Sequence, residues 1–532
     1  MKPIRLMAGF MTVGLWTMAS RVLGFVRDIL LASLLGAGPV ADAFFVAFSL
    51  PNMFRRFFAE GAFNMAFVPM FSKKLEAGED ADGFARDALS GLALVLIAFT
   101  LLALAAMPWL VLAMASGFAG DARLDLAVGF GRIVFVYILF ISLAALLSGV
   151  LNATGRFAAA AAAPILLNVV LIAVLLIAQT GVLAETLTLP APGSTPIAGL
   201  HHGTMLAIGV VIAGIAQLWL LWRAAAQAGF DLRPRRPRMT PELKRLAIIA
   251  APAALAGGVV QVNLLVGRQV ASFFDGAIAW LTYADRLYQL PLGVVGIAIG
   301  VVLLPDLSRR LQAGDTAGGR DAFNRAGEIC LTLTVPAAVA LIAIPEALIS
   351  VLFERGRFTA EDTAATALAV AVYGIGLPAF VLQKVFQPLY FAREDTRTPL
   401  RFALWAMVVN AVVAICLAPV IGYIAAALGA TLAGWTMVWL LWRGTRSLGE
   451  AAAIDARFAQ RLWRIVAASL AMGALLWGAE MLLTEALRTP TLRYGALALL
   501  VGFGIASYGV IGHLIGAFRI AEIKGALRRK RG

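Results

Sequence analysis

Stretches of about 20 predominantly apolar residues recur along almost the whole chain, and they limit its fold more than any other feature. Hydrophobic residues make up 61% of the 532 residues and charged residues only 14%, which excludes an ordinary soluble globule. In a bilayer every backbone polar group needs a partner within the protein, and an α-helix provides one for each residue. The sequence therefore predicts an all-α polytopic membrane protein.

With a span of about 20 residues as the template, the sequence predicts about 14 transmembrane helices. The predicted spans cover residues 8–33, 40–70, 86–114, 125–151, 160–181, 203–225, 244–273, 277–306, 324–350, 363–391, 399–419, 422–443, 461–484 and 492–517. The N-terminal segment is expected to begin the first span rather than form a signal peptide, because its apolar pattern continues through the arginines without a small-residue cleavage site.

Basic residues are concentrated in alternate loops. The loop after the sixth predicted span carries a cluster of Arg and Lys between residues 233 and 245, whereas the segment 36–42 on the opposite side has none. This is the positive-inside pattern, so the net charge of +14 indicates membrane topology rather than nucleic-acid binding. Both termini are expected to be cytoplasmic, with an even number of spans.

An internal repeat divides the chain. The segment 68–80 reappears at 304–316, and Pro305 lies 236 positions after Pro69 (305 − 69). Six predicted helices separate the copies, so both halves enter the membrane in the same direction, as in transporters with parallel repeats. The predicted domains are an N-terminal six-helix lobe (1–228), a C-terminal six-helix lobe (229–447), and two additional helices with a basic tail (448–532).

The first two predicted spans contain charged residues within apolar sequence, namely Arg21, Arg27, Asp28, Asp42, Arg55, Arg56 and Glu60. A charge near the bilayer centre costs a few kcal/mol or more, so these side chains are expected to face a bundle interior or a wet cavity. On a helical wheel, one polar face of the second span, within about 80°, contains Asp42, Ser49, Asn52, Arg56 and Glu60. In the first span, Gly24 shares a stripe with Arg21 and Asp28, and a glycine there allows a neighbouring helix to approach.

The second predicted lobe has its own polar residues within spans. Asp285, Arg286 and Gln289 lie in the eighth span and Lys384 in the tenth. Arg286 occupies the helix that corresponds by repeat to the one carrying Arg55. Arginines from both lobes predict a cationic pocket for an anionic substrate such as a phosphate or pyrophosphate, because a guanidinium holds phosphate oxygens through two parallel hydrogen bonds.

Structural alternatives exist for two of these groups. Arg55, Arg56 and Glu60 also fit a cytoplasmic helix end whose ion pair reaches the interface. Asp285 with Arg286 also fits a structural ion pair without contact to substrate.

Four motifs carry a family resemblance: ASRVLGFVRD, ADAFFVAFSLPNMFRRFFAEGAFNMAFVP, YADRLYQLPLGVVGIAIGVVLLP and PLYFAREDTRTP. Together they resemble the MurJ (MviN) family of lipid II flippases in the multidrug/oligosaccharidyl-lipid/polysaccharide (MOP) exporter superfamily. The resemblance spans nearly the whole chain, including the last two helices. It implies a MATE-like fold and alternating access that moves lipid II, an undecaprenyl-pyrophosphate disaccharide-pentapeptide, from the cytoplasmic to the periplasmic leaflet.

The resemblance also implies a site. The substrate-binding arginines of the family correspond to Arg21, Arg27, Arg55 and Arg286. Supporting polar positions of the cavity are Asp28, Asp42, Arg56, Glu60, Asp285, Gln289 and Lys384. The last two helices are expected to form a groove for the lipid tail.

No cofactor or metal is expected, and the two cysteines, Cys330 and Cys416, have no metal-ligand spacing. Some relatives are described with a sodium site built by carboxylates of the seventh and eleventh helices, where this chain has Asn263 and Asn410. The coupling ion is therefore left open, with a membrane potential or an ion gradient as the energy source. Expected partners are lipid II, membrane lipids and the cell elongation or division machinery, in the bacterial inner membrane, and no nucleic acid.

The same residues bear on other functions. A flippase for another undecaprenyl-linked oligosaccharide needs a similar cationic cavity. A cation-coupled multidrug exporter shares the repeat but needs an acidic or aromatic cavity. An embedded enzyme needs a catalytic Asp, Glu or His cluster, and a channel needs a pore loop or a uniform ring of charge; neither pattern is found in the sequence.

Overall fold

The computed structural model describes the backbone of residues 3–55, 62–180, 200–233 and 235–518. Within these ranges it describes all side chains except those of residues 3–12, 62, 63, 65, 251–264, 294–302, 304, 305, 311 and 451. Arg56 and Glu60 lie outside the described residues, and so does the side chain of Asn263.

Eighteen α-helices, α1 to α18, account for most of the described chain, and no strand occurs in those residues. In order they are Pro3–Leu35, Pro39–Arg55, Ala62–Glu76, Ala81–Ala105, Met107–Met114, Ala122–Val134, Tyr137–Ala153, Phe157–Gln179, Leu200–Gln227, Pro241–Ala271, Ala277–Gln312, Thr316–Ala343, Pro345–Phe353, Ala360–Phe391, Arg397–Ile421, Ile424–Gly444, Ala456–Arg488 and Arg493–Leu514.

These helices follow the predicted spans in order, with α2–α3, α4–α5, α6–α7 and α12–α13 each covering one span. Among the described residues, ten helices, counting α6–α7 as one, are long and apolar enough to cross a membrane. The charged first, second, seventh and eighth spans (α1, α2–α3, α10 and α11) are helical but are not among these ten. The all-helical, multi-pass class is thus confirmed, whereas the count of fourteen is not.

The two halves of the chain break their helices at corresponding places. The third predicted span is interrupted at Ala106 and the ninth, six spans later, at Ile344. In each case the helix that follows has a proline in its first turn, Pro108 and Pro345. A proline is tolerated there because its missing N–H would have no partner within the helix. The shared break supports the internal repeat at the level of local geometry.

A helix–turn–helix connection is also repeated. Gly78 follows α3 with φ +68°, and Gly314 follows α11 with φ +72°, 236 positions later (314 − 78). In both connections an aspartate then accepts a hydrogen bond from the backbone N–H three residues on, at 2.7 Å for Asp80 and 2.8 Å for Asp315. Glycine adopts the left-handed conformation without a steric penalty, and the aspartate carboxylate accepts from a backbone N–H at the start of the next helix.

Glu394 is the one residue other than glycine with a positive φ in the described part of the chain, at 61°. It follows α14, and Gly155 holds the corresponding place after α7, with φ 76° and 239 positions earlier (394 − 155). The N–H of Gly155 donates to Asn152 O and that of Glu394 donates to Phe391 O, both at 3.0 Å. The next N–H donates to the carbonyl five residues back in both copies. The turn is the same, but the second copy lacks the glycine that suits it.

Replacing Glu394 with glycine is therefore expected to stabilise the protein by about 0.5–1 kcal/mol. The left-handed conformation costs an L-residue about 1–2 kcal/mol, and the larger backbone entropy of unfolded glycine offsets part of the gain. The measurement is the apparent Tm of the purified protein from tryptophan fluorescence. Gly155→Ala is the matched control and should lower Tm; an unchanged or lower Tm for Glu394→Gly contradicts the strain argument.

Contacts along the chain define two compact units. The first is Met1–Ala279 with Arg355–Phe358, and the second is Trp280–Glu354 with Thr359–Gly532. The lobe boundaries at 228 and 447 stay a prediction.

In the first unit α1 packs on α8, α2 on α6, α7 on α9 and α10 on α3. A stack of buried rings, Phe71 on Phe67 and Phe67 on Phe84, joins α3 to α4 with centroids 5.6 Å and 5.5 Å apart. The loop between α9 and α10 is held to α4, where the Arg235 Nε donates to Asp87 Oδ1 at 2.6 Å.

In the second unit α14 packs between α12 and α16, α15 packs on α16, and α17 packs on both α12 and α18. The last two helices share a core with α13 that contains Val351, Met472 and Leu500. Outside this core, large apolar side chains such as Leu482 and Leu514 are exposed, as expected for a surface that faces hydrocarbon.

Candidate functional site

A buried ion pair lies in the first unit, inside α1. Arg27 and Asp28 are only 7% and 3% exposed, and the Arg27 Nε and Nη2 donate to Asp28 Oδ1 at 2.9 Å and 2.6 Å. The Arg27 Nη1 donates to Asn168 Oδ1 of α8 at 2.9 Å. One guanidinium therefore links an acid on its own helix to an amide on the neighbouring helix.

Asn168 completes the link between α1 and α8. Its Nδ2 donates to the Ser20 backbone oxygen at 2.9 Å and to Ser20 Oγ at 3.3 Å, one turn before Gly24. A Cβ placed on Gly24 would lie 3.6 Å from the Asn168 amide, which is ordinary van der Waals contact. Gly24 thus faces α8, as the stripe with Asp28 predicts, but the approach leaves room for a methyl group.

These contacts fix the position of Arg27 but do not use all of its hydrogen-bond donors. A guanidinium has five N–H donors, and the hydrogen bonds to Asp28 and Asn168 use three. The pair is buried, so a loss of either partner leaves a charge without compensation, whereas the intact pair is electrically neutral.

The other predicted residues of the first unit lie on α1 and α2. Arg21 is half-buried two turns before Arg27, and Arg55 is half-buried at the last residue of α2. Along α2, Ser49 Oγ and Asn52 Nδ2 donate to their own helix, to Phe45 O at 2.6 Å and Phe48 O at 2.8 Å.

Asp42, at the start of α2, is fully buried in a different environment. Its Oδ2 accepts from the Gly276 N–H and its Oδ1 from the Ala279 N–H, both at 2.9 Å, at the beginning of α11. Arg123 Nη1 lies 3.8 Å from the same carboxylate. The structure therefore places Asp42 as an acceptor for the first turn of α11, where a negative charge also complements the helix dipole.

Arg123 joins this group to the start of α6. It is 4% exposed and contacts Asp121 through Nη2 at 2.6 Å and Asp275 through Nη1 at 3.0 Å. Partial burial works to raise the pKa of Asp121, but hydrogen bonds from the Arg123 backbone and side chain, together with its charge, hold that pKa below its usual range. The sequence reasoning missed Arg123, although an arginine between Asp121 and Asp125 at the start of an apolar segment was a usable signal.

Asn168 was missed as well. It is the one amide between residues 157 and 178 of α8, and such a residue needs a partner when it lies in a span. Its partner on α1 depends on how the two helices pack, so the sequence marks the residue but not the bond.

In the second unit, Asp285, Arg286 and Gln289 lie half-buried on α11. Gln289 Nε2 donates to Asp285 Oδ2 one turn earlier. The Tyr288 ring contacts Tyr373 and Phe380 of α14 in tilted geometry, with centroids 5.0 Å and 5.6 Å away. Lys384 is exposed farther along α14. The structure does not relate these residues to those of the first unit, so one pocket shared by both lobes stays a prediction.

No group of three or more His, Cys, Asp or Glu side chains is arranged to hold a metal ion among the described residues.

The helical fold, with ten candidate membrane spans among the described residues and buried arginine–carboxylate pairs, defines a multi-pass membrane protein. A family described as "Lipid II flippase MurJ" matches residues 31–502. The chain belongs to this family. Its members are transporters rather than enzymes, and the resemblance read from the sequence motifs is confirmed.

Relatives and solved structures agree. The chain is 41% identical to the "Probable lipid II flippase MurJ" of Rhizobium tropici and 43% identical to that of Rhizobium meliloti (strain 1021), with 98% of this chain and 96% of each relative covered. The solved structure "Lipid II flippase MurJ, inward closed conformation" matches with TM-score 0.76 and 24% identity, over 94% of this chain and 98% of that chain. An inward-facing MATE family transporter of the MOP superfamily matches with TM-score 0.62 and 13% identity, over 83% and 98%.

Proposed function

We propose that this protein flips lipid II from the cytoplasmic to the periplasmic leaflet by alternating access of two lobes. The observation that carries the proposal is the buried Arg27–Asp28–Asn168 group in a chain that matches the family over nearly its whole length. A lipid-linked sugar has a polar head that cannot cross hydrocarbon, whereas its acyl chain need not leave it. The protein must therefore supply a polar path for the head and a lateral opening for the tail.

In this proposal Arg21, Arg27, Arg55 and Arg286 bind the pyrophosphate. Arg27 is suited to the task because Asp28 and Asn168 fix its orientation and leave two N–H donors for phosphate oxygens. The supporting polar residues keep the path hydrated, and the exposed apolar surface of α17 and α18 accepts the lipid tail.

The same proposal places the protein in the bacterial inner membrane with both termini in the cytoplasm. The basic loop between α9 and α10 then lies on the cytoplasmic side. Its arginines make that loop a candidate contact for the cell elongation or division machinery.

The expected decisive test is complementation in cells depleted of their own lipid II flippase. Alanine at Arg21, Arg27, Arg55 or Arg286 should abolish or strongly reduce rescue at matched membrane levels, because each variant removes a phosphate ligand worth about 1.5–3 kcal/mol. Arg309→Ala, in which a 78% exposed arginine at the end of α11 is lost, is the matched control and should rescue fully.

The two possible failures have different meanings. If the well-expressed wild type does not rescue, the cargo is another undecaprenyl-linked oligosaccharide or a drug. If every arginine variant rescues, lipid II remains the cargo but the proposed site is wrong.

We propose the membrane potential as an energy source. A potential of 100 mV is worth about 2.3 kcal/mol per elementary charge, so a cavity with several net positive charges is biased between its two orientations. Lipid II flipping in proteoliposomes is expected to slow when the potential is collapsed with valinomycin at equal potassium concentrations. An unchanged rate removes the potential as the driving force while leaving the flippase assignment intact.

A further inference from the structure

The pentapeptide Trp-Leu-Leu-Trp-Arg occurs twice, at residues 219–223 in α9 and 439–443 in α16. The copies lie 220 positions apart (439 − 219), and α9 and α16 are the sixth and twelfth predicted spans, related by the internal repeat. Neither copy contains a residue that is proposed to bind lipid II.

Each copy ends an uncharged helical segment. Residues 200–222 and 424–442 contain no Asp, Glu, Lys or Arg, so Arg223 and Arg443 are the first charges after the apolar stretch. Tryptophan and arginine at this position are typical of the membrane–water interface, where an indole sits at headgroup level. Both copies are therefore expected at the polar boundary of the bilayer.

In each copy the first tryptophan and the arginine, one turn apart, form a cation–π pair. Arg223 Cζ lies 5.6 Å from the Trp219 ring centroid, and Arg443 Cζ lies 5.4 Å from that of Trp439. Both rings face outward, with Trp219 60% and Trp439 49% exposed. The two units thus build the same outward-facing pair independently.

The opposite face of each helix fixes this orientation. A Cβ on Gly214 would lie 2.6 Å from the Tyr137 ring, and a Cβ on Gly434 would lie 2.8 Å from the Phe380 ring. Only glycine allows these close contacts, so each helix is held with its glycine inward and its tryptophan outward.

The second copy adds another pair, because Arg446 lies 5.5 Å from the ring of Trp442. Among the residues that the structure describes, no carboxylate lies within ion-pair distance of Arg223, Arg443 or Arg446, although most arginines of the α12–α17 contact are paired with acids. These guanidiniums therefore retain their N–H edges for an external acceptor while an indole covers one planar face.

We propose that the two Trp-Leu-Leu-Trp-Arg segments are binding sites for anionic phospholipids. The guanidinium edge donates to the headgroup phosphate, the indole packs against the glycerol region, and the acyl chains follow the exposed apolar face of the same helix. An anionic lipid fits better than a zwitterionic one, because its headgroup has no choline or ethanolamine cation that competes with the guanidinium for the phosphate. The bound phospholipid comes from the surrounding bilayer, because each cation–π pair lies at the end of an apolar span.

The test is native mass spectrometry of the full chain in detergent, titrated with phosphatidylglycerol or with phosphatidylcholine of the same acyl chains. We expect phosphatidylglycerol to bind more tightly. Arg223→Gln should weaken one site about fivefold, and the double variant Arg443→Gln/Arg446→Gln should weaken the other by more, since each basic residue near a lipid surface contributes a similar factor. Trp219→Leu should weaken the first site while keeping its charge.

Arg233→Gln is the matched control, because it removes an exposed arginine from the α9–α10 loop and is expected to leave both sites unchanged. Monodisperse elution and rescue in the complementation assay show that each variant is folded. Three results overturn the proposal: an equal loss in Arg233→Gln, equal binding of phosphatidylcholine, or displacement of the lipid by inorganic phosphate, which indicates a simple anion site.

Discussion

Arg27→Ala is expected to give well below one-tenth of wild-type rescue and to destabilise the folded protein by about 3–5 kcal/mol. Removal of the guanidinium takes two hydrogen bonds and an opposite charge from the buried Asp28 carboxylate, and one hydrogen bond from the Asn168 amide oxygen. Membrane levels, the apparent Tm in detergent and complementation in flippase-depleted cells measure the two effects. Expression must be raised to match the wild type before rescue is compared.

A charge-neutral pair of substitutions separates substrate binding from stability. The double variant Arg27→Gln/Asp28→Asn removes both charges at once, so no uncompensated charge remains in the interior. We expect it to recover most of the lost Tm but not the rescue, because the phosphate ligand is still missing. Arg27→Lys tests geometry, since an ammonium keeps the charge but lacks the planar fork that spans Asp28 and Asn168. Rescue by the neutral double variant assigns the pair to structure alone.

Local features of the fold were predictable from the sequence. The lengths of the apolar stretches predict the order of the spans, and Gly24 was predicted to face a neighbouring helix, which the structure identifies as α8. The repeat of residues 68–80 at 304–316 anticipates two connections with the same positive-φ glycine and capping aspartate. Each of these depends on residues within a few turns of one another.

The partners of the buried polar groups were not predictable in the same way. A helical wheel places Asp42 on the polar face of the second span, but its acceptor role toward Gly276 and Ala279 depends on a contact across more than two hundred residues. The Asn168 bond to Arg27 is similarly remote. The helix breaks at Ala106 and Ile344 were also missed. Both lie within continuous apolar sequence, and only the prolines that follow indicate them.

Asp42→Ala is expected to destabilise the first unit by about 2–6 kcal/mol, because two buried backbone N–H groups lose their acceptor at about 1–3 kcal/mol each. The donors belong to Gly276 and Ala279, and the carboxylate that accepts from them is fully buried. Arg123 keeps its contacts to Asp121 and Asp275, so its charge is not stranded and adds little to the loss. The apparent Tm of the purified protein measures the effect, and rescue should fall along with the folded fraction.

Two variants make this expectation specific to the first turn of α11. Asp42→Asn should lose less than Asp42→Ala, because the amide oxygen still accepts one of the two backbone hydrogen bonds while its NH₂ group cannot accept the other. Asp121→Asn removes a partly exposed carboxylate from the same arginine. It should change the free energy of unfolding by less than about 1 kcal/mol, because solvent screens that pair. If Asp121→Asn destabilises as much as Asp42→Ala, the stability resides in the charge of Arg123. If only Asp42 variants do, the carboxylate acts as the cap of α11, and the polar face predicted for the second span begins with a structural residue rather than a substrate ligand.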